Sequence, residues 1–323
     1  MRLKERRGRH KVLWGFIYAI TFITVFAASA IIKQTYNPLG KEYTVDWNAS
    51  IGTVHTDIAY GEGEANKFDL YLPADNSKEN YGLVVYLHPG GFTSGDKSGD
   101  AEMLQWLCSR GYVTAGINYT LLSEQNPTAS VYTMSQDIKK AMPVVSDEAE
   151  RLGYKLDRMA ISGGSAGGTL ALLYAYRDAG TSPIPVKMVF EAVGPASFHH
   201  KDWTPYGLDQ SDKAAANLFS AMSGNLITAE MIAENDYENE VRDISADMWI
   251  DEDSVPAVLA YGVHDKVCPF LSARPLVNAL KENNVPYDYI EFPHSGHGLQ
   301  NDNKLYLAYM KKVEECLNRY MDN

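Results

Sequence analysis

The period of the hydrophobic pattern changes several times along the chain. The segment KFDLYLP (67–73) alternates apolar and polar side chains, which is typical of an antiparallel strand with one buried face. The segment GLVVYLHP (82–89) is apolar at almost every position, as a central strand covered on both faces should be. These two neighbouring segments therefore predict different positions in one sheet.

Strand-like and helix-like segments alternate from there to the end of the chain. The further predicted strands are 112–119, 158–162, 186–194, 255–262 and 287–293. The predicted helices are 99–111, 130–152, 166–179, 271–283 and 303–320. A kink or break is expected near Pro143, because proline has no N–H to donate within a helix. The alternation predicts an α/β fold, with a doubly wound, mostly parallel sheet that has an antiparallel start.

Residues 195–250 interrupt this alternation. They contain no strand pattern but hold FHHKDWTPYG (198–207), an alanine-rich run and several acids. A charged segment of about 55 residues would have little core of its own. We therefore predict a cap insertion within a single domain of residues 51–323.

The N-terminal part of the chain has a different character. Residues 1–11 carry six Lys and Arg, and the 21 residues that follow, VLWGFIYAITFITVFAASAII (12–32), carry no charge. About 20 apolar residues in a helix cross a hydrocarbon core about 30 Å thick. We predict a transmembrane anchor at 12–32, with the basic segment 1–11 in the cytoplasm, a linker at 33–50 and the domain outside.

Two alternatives to an anchor are considered for residues 12–32. Ala28-Ser29-Ala30 resembles a signal-peptidase site, and cleavage after Ala30 would release a secreted protein. Continuation of the apolar run through Ile31 and Ile32 favours the uncleaved anchor. A buried core helix fits less well, because the segment lies near the terminus and behind a basic cluster.

Charge and cysteine content exclude several classes of function. The chain has 29 basic and 41 acidic residues, a net charge of −12, and six of the bases lie in residues 1–11. The rest of the chain is therefore strongly acidic and should repel nucleic acid, so we expect no nucleic-acid partner. The three cysteines, Cys108, Cys268 and Cys316, are too few for a disulfide framework. No metal-ligand spacing is apparent, and we expect no metal and no cofactor.

Candidate chemistry follows the ends of four predicted strands. The sequences there are His88-Pro89-Gly90-Gly91, Gly163-Gly164-Ser165-Ala166-Gly167, His264-Asp265 and His294-Ser295-Gly296-His297. In an open α/β sheet, ligands bind beyond the carboxyl ends of the strands. A serine, an acid and a histidine occur there in the chain order associated with the strained turn called the nucleophile elbow.

These motifs resemble those of α/β-hydrolase-fold carboxylesterases, in particular hormone-sensitive-lipase-like esterases and their polysaccharide-esterase relatives. The resemblance covers about residues 55–323 and includes INYTLLSE (117–124), similar to the family's Tyr-Arg-Leu-x-x-Glu segment. The sequence departs from the family pattern at Pro89, at Gly164, where Asp is common, and at Thr120, where Arg is usual. The departures leave the subfamily and the substrate open.

Each of these residues has a role that its chemistry supports. Ser165 is the candidate nucleophile, His297 the base that takes its proton, and Asp265 the acid that orients the imidazole. The tetrahedral oxyanion needs preorganised donors, and the backbone N–H groups of Gly90, Gly91 and Ala166 are the candidates.

Other residues of the same types compete for these roles. Ser162 lies within a predicted strand, and His294 lies three residues before His297. Asp251 and Asp253 precede their strand and so lie at its other end. His88 is interpreted as a brace for its loop, and Glu191 as a buried acid near the site.

The combined pattern predicts a serine hydrolase that cleaves carboxylic esters through an acyl-enzyme. The substrate is a small-molecule or polysaccharide-linked ester, and Phe198, Trp203 and Tyr206 of the cap are candidates for lining its pocket. A peptidase or amidase of the same fold is one alternative. A non-catalytic surface protein on a hydrolase fold is the other.

Overall fold

An eight-stranded sheet forms the centre of the computed structural model, which describes residues 42–322. In chain order the strands are β1 (Gly52–Ala59), β2 (Lys67–Pro73), β3 (Tyr81–Leu87), β4 (Val113–Ile117), β5 (Leu156–Gly164), β6 (Val186–Ala192), β7 (Ala257–Gly262) and β8 (Tyr287–Phe292). Their spatial order is β1-β2-β4-β3-β5-β6-β7-β8. The pairings β1–β2 and β2–β4 are antiparallel and the others are parallel. The predicted α/β fold with an antiparallel start is confirmed.

Helices connect the parallel strands. The α-helices of the described residues are α1 (Ala101–Ser109), α2 (Val131–Arg151), α3 (Ala166–Leu173), α4 (Asp212–Ser223), α5 (Ala229–Glu234), α6 (Glu238–Val241), α7 (Ala273–Glu282) and α8 (Asn303–Tyr320). The residues of β4 are all buried, as are all but one of β3, because helices cover both faces of the sheet there. The side chains that follow the carboxyl ends of these strands are therefore held by a rigid core.

The sequence pattern did not predict the edge strand β1. Its sequence, GTVHTDIA, exposes most of its side chains, so it lacks the alternation that one buried face produces. The packed domain also begins before residue 51, where the sequence placed its boundary. Tyr43 is buried, and its ring lies 5.1 Å from that of Trp106 in an edge-on contact.

Helix α2 runs without interruption past Pro143, where a kink or break was expected. It begins with a capping box, in which the Ser130 hydroxyl accepts from the Thr133 N–H and the Thr133 hydroxyl accepts from the Ser130 N–H. Pro143 is exposed, so water can bond to the carbonyl that its missing N–H leaves unpaired. The predicted break is therefore absent, because the exposed side of a helix tolerates that loss; the kink stays a prediction.

The segment between β6 and β7 contains helices α4, α5 and α6 and short 3₁₀ turns. Its aromatic rings pack on one another: the centroids of Phe198 and Trp203 are 5.3 Å apart, and those of Trp203 and Phe219 are 5.6 Å apart. These side chains are buried within the same hydrophobic core as the sheet. The insertion therefore shares the core of the domain.

The predicted anchor at 12–32, the basic segment 1–11 and residues 33–41 of the linker lie outside the described residues. Within residues 42–322, no helix combines the length and apolar character that a membrane span needs.

Candidate active site

A sharp turn joins β5 to α3, and Ser165 lies at this turn. Its backbone has φ 53° and ψ −119°, a conformation that costs free energy for a residue with a side chain. A Cβ at Gly167 would stand 1.9 Å from the Leu87 carbonyl oxygen, and one at Gly163 would stand 2.4 Å from the Gly167 carbonyl carbon. Both positions therefore require glycine, because β3 and the turn itself approach so closely.

Three side chains from three strand ends form one hydrogen-bonded row. His297 Nε2 lies 2.9 Å from Ser165 Oγ, and His297 Nδ1 lies 2.8 Å from Asp265 Oδ2. Since the carboxylate can only accept, Nδ1 carries the proton and Nε2 is free to accept from the serine hydroxyl. This is the arrangement in which a histidine can remove a serine proton.

The Asp265 carboxylate is held on both of its oxygens. Its side chain is 1% exposed, and Oδ1 accepts the N–H groups of Val267 at 2.7 Å and Cys268 at 2.9 Å. Oδ2 is thereby directed at His297. Burial strengthens this contact, since the field of the carboxylate is weakly screened.

The competing residues lie elsewhere. His294 Nδ1 is 2.8 Å from Asp302 Oδ1, but its side chain is 78% exposed and this pair serves the loop around it. Ser162 is fully buried within β5. Asp251 and Asp253 are exposed and precede β7.

The loop after β3 faces Ser165 and has three successive residues with positive φ. These are Gly90 at 141°, Gly91 at 60° and Phe92 at 66°. A Cβ at Gly90 would lie 1.8 Å from the Ser94 carbonyl oxygen, so only glycine fits this turn. Gly91 lines the same cavity as Ser165.

The Ala166 N–H and the His88 side chain also belong to this site. The Ala166 N–H is the first of helix α3, and the first N–H groups of a helix have no partner within it. His88 stacks on Tyr119 with centroids 4.3 Å apart, and the Tyr119 hydroxyl donates to the His88 carbonyl at 2.7 Å. Burial lowers the pKa of His88, which favours a neutral brace.

Ser165 opens onto an apolar cavity of about 250 Å³. Helix α2 contributes Met134, and the insertion contributes Trp203, Tyr206, Leu218 and Met222. The volume is below the range of about 300–1,000 Å³ typical of sites for drug-sized ligands. The cavity therefore suits one small apolar group.

A sequence model of the family described as BD-FAE matches residues 68–280, which is more than half of the chain. The chain belongs to the BD-FAE family. The match includes Ser165 and Asp265 and ends before His297.

The sequence of this BD-FAE protein aligns in part with those of curated relatives. It is 26% identical over 261 residues to the probable carboxylic ester hydrolase LipM of Mycobacterium tuberculosis, covering 75% of this chain and 55% of the relative. It is 28% identical over 124 residues to a kynurenine formamidase of Danio rerio, covering 38% and 39% of the two chains. The chain thus spans about half the length of LipM.

Solved structures share the fold of this BD-FAE protein. Esterase B from Lactobacillus rhamnosis has a TM-score of 0.64 at 20% identity, covering 93% of this chain and 95% of that one. The esterase Est2 from Thermogutta terrifontis has a TM-score of 0.65 at 20% identity, covering 85% and 94%. These likenesses show an α/β-hydrolase fold.

Some residues of the site carried no signal in the BD-FAE protein's sequence. Met134, Val267 and Cys268 line the cavity, yet they come from helix α2 and from the segment after β7 and form no motif. Trp203 and Tyr206 do line it, whereas Phe198 packs behind Trp203. Only the fold brings these residues together.

Proposed function

We propose that this protein is a serine-dependent carboxylic ester hydrolase. The observation that carries the proposal is the row Asp265–His297–Ser165, whose serine opens onto a small apolar cavity. The family and a relative named as a probable carboxylic ester hydrolase support it.

The proposed reaction proceeds through an acyl-enzyme. Ser165 Oγ attacks the ester carbonyl carbon while His297 Nε2 takes the hydroxyl proton. The carbonyl oxygen becomes an oxyanion, for which Ala166, Gly91 and Gly90 are the candidate N–H donors. His297 then protonates the leaving alcohol, and water releases the acid by the same steps in reverse order.

The cavity supports a short acyl or small aryl group as the part of the substrate that enters it. The sequence resemblance leaves open whether the alcohol is a small molecule or a polysaccharide. Release of acetate from acetylated polysaccharide, measured beside hydrolysis of small acetate esters, distinguishes the two. A preference for long acyl chains over acetyl and butyryl would contradict this assignment.

The test uses the chain of 323 residues and p-nitrophenyl esters of increasing acyl length. Replacing Ser165 by Ala should lower kcat by about 10⁴-fold or more, because it removes the nucleophile. Ser162→Ala is the matched control, since Ser162 is a buried serine three residues earlier whose hydroxyl has no partner among the described residues. Turnover in Ser165→Ala comparable to that of the control would refute the proposal.

Hydrolysis of a small amide is a second candidate function. It is supported by relatives named kynurenine formamidase that align with 38% of the chain. The same mechanism would expel an amine protonated by His297. Comparing kcat/KM for a formanilide and an aryl formate decides between them, and a larger value for the formanilide would favour the amidase.

We further propose that residues 12–32 anchor the protein and place its domain outside the cytoplasm. The support is the uncharged run itself and the basic segment before it. Retention in membranes after alkaline washing, with residues 1–11 still present by mass spectrometry, is the expected result. A soluble product that begins at Ile31 would instead identify a cleaved signal.

A further inference from the structure

Glu191 is a buried acid beside the nucleophile elbow. It is the next-to-last residue of β6, is 0% exposed, and is paired in register with Gly163 of β5. Its Oε2 accepts the Gly194 N–H at 2.8 Å, while its Oε1 has no hydrogen-bond partner among the described residues. A titratable side chain at such a place needs an explanation, because the mechanism above does not use it.

The Glu191 carboxyl fills the space between two backbone segments. A Cβ on Gly168, in the first turn of α3, would stand 2.8 Å from Glu191 Oε2, and one on Gly194 would stand 3.0 Å from it. The absence of both side chains makes room for the carboxyl. Glu191 therefore touches the helix that begins at the nucleophile and the turn that follows β6.

That turn, residues 192–195, is tied to the elbow and the neighbouring strand. The Ala192 carbonyl accepts the Ser165 N–H at 2.8 Å, and the Pro195 carbonyl accepts the Thr169 hydroxyl at 2.8 Å. The Gly194 carbonyl accepts the Tyr261 hydroxyl at 2.7 Å. Pro195 itself lines the cavity, so the turn forms part of the substrate site.

The 192–195 turn is also strained. Val193 has φ 53°, which is unfavourable for a β-branched side chain, and its N–H donates to the Ala260 carbonyl at 2.8 Å. A strained turn persists only where its surroundings hold it. The Glu191–Gly194 hydrogen bond is one of these restraints.

The groups around Glu191 favour its neutral form. Its electrostatic neighbours in the described part of the chain are uncharged tyrosines and a thiol, contributed by β3, β7, β8, α8 and two connecting segments: Tyr86, Tyr261, Tyr289, Tyr309, Tyr176 and Cys268. Burial raises the pKa of Glu191 to about 8, against the lowering effect of the Gly194 N–H. At neutral pH the carboxyl is therefore mostly protonated.

We propose that protonated Glu191 is a positioning residue that fixes the 192–195 turn against the nucleophile elbow, and that its ionisation at alkaline pH loosens this turn and lowers turnover. The inference rests on the proposed function. It assigns Glu191 no contact with the reacting atoms. Ionisation places an unpaired buried charge within the turn, and the structure can relieve it only by moving the carboxyl or admitting water.

Three variants test this inference by their pH profiles. Glu191→Gln keeps the shape and the acceptor for Gly194 but cannot ionise, so its kcat near pH 7 should stay within about threefold of wild type. Above about pH 9 its kcat should exceed that of wild type by at least about fivefold, because only wild type acquires the charge. Glu191→Ala removes the acceptor and should lower kcat about tenfold at every pH with a smaller change in KM. Glu291→Gln, at an exposed position of β8, is the control for a lost charge and should follow wild type.

Two results would overturn the inference. One is a loss of more than about tenfold in Glu191→Gln near pH 7, which would mean that the carboxylate is the functional form. The other is an alkaline limb in Glu191→Gln that superimposes on that of wild type. Both comparisons remain decisive if Glu191→Ala does not fold.

A thermal-unfolding series separates failure of this inference from failure of the proposed function. An acid whose pKa is raised in the folded state stabilises it at low pH and loses that stability as pH rises toward the folded value. The melting temperature of wild type should therefore fall more between about pH 5 and about pH 9 than that of Glu191→Gln. This measurement needs no substrate, and equal slopes would refute the neutral carboxyl even if no ester is turned over.

Discussion

Replacing Asp265 by Asn tests the assigned hydrogen-bond directions more sharply than removing the side chain does. Asp265 Oδ1 accepts two backbone N–H groups, at 2.7 and 2.9 Å, while Oδ2 accepts from His297 Nδ1 at 2.8 Å. An asparagine must keep its carbonyl oxygen on the two N–H groups, so its NH₂ faces the histidine. Nδ1 then has to accept, and the proton moves to Nε2, where it blocks acceptance from Ser165.

The expected loss of kcat in Asp265→Asn follows from the free-energy cost of the alternative orientation of the asparagine amide. Turning the amide around would restore the productive tautomer but leave the N–H groups of Val267 and Cys268 without their acceptor, at about 1–3 kcal/mol each. The resulting 2–6 kcal/mol corresponds to a loss between about 30-fold and about 10⁴-fold, at about 1.36 kcal/mol for each factor of ten. Loss of the negative charge that stabilises the imidazolium adds to it. We expect kcat to fall by about 10³–10⁴-fold, comparable to the corresponding change in a Ser-His-Asp protease.

The control is a second His–Asp pair in the same region. Asp302 Oδ2 accepts from the His294 N–H and the Ser295 hydroxyl, and Oδ1 is paired with His294 Nδ1 at 2.8 Å. Asp302→Asn should therefore flip the His294 tautomer in the same way, with kcat changed by less than about threefold. Steady-state hydrolysis of p-nitrophenyl acetate and melting temperatures for both variants give the comparison. A loss below about 30-fold in Asp265→Asn, or an equal loss in both variants, would contradict the assigned geometry.

Three further changes test other parts of the structure. Gly167→Ala should destabilise the fold by about 3 kcal/mol or more in urea unfolding, because its Cβ would stand 1.9 Å from the Leu87 carbonyl; a neutral result would contradict the close approach. Met222→Ala should raise kcat/KM for hexanoyl relative to acetyl esters by about tenfold, since it enlarges the cavity; an unchanged ratio would place the acyl group elsewhere. Burial raises the pKa of Asp100 to about 6 from 3.8, so the stability it contributes is lost as pH rises through 6. Asp100→Asn should then be more stable than wild type at pH 8 by about 2 kcal/mol, allowing for its partial exposure, and equally stable near pH 3.

Ser165, Asp265 and His297 could be selected from the sequence because each of them follows the end of a predicted strand. Gly163 and Gly167 flank Ser165 at fixed offsets, and Asp265 and His297 follow two later strands in order. Parallel strands bring their carboxyl ends to one edge of the sheet, so order along the chain predicts proximity in space. The geometry joins the three side chains that this reasoning selected.

Other features depend on packing between distant segments and left no local signal. The cavity wall combines Met134 from α2, Leu218 from α4 and Val267 after β7. Strand β1 has too few buried positions to show a period, and helix α2 passes Pro143 because that position is exposed. Periodicity describes a segment with one solvent face, so it does not report on contacts between segments.

The two His–Asp pairs show why the local sequence alone does not distinguish His297 from His294. His294 and His297 each lie 2.8 Å from a carboxylate oxygen, so a histidine–aspartate contact by itself does not distinguish them. The His294 partner, Asp302, is eight residues away, and its histidine is 78% exposed, where water screens the charge of the pair. The His297 partner comes from another strand end, is 1% exposed, and leaves Nε2 directed at Ser165. The proposed catalytic role of His297 therefore rests on a third group and on burial, both of which the sheet supplies.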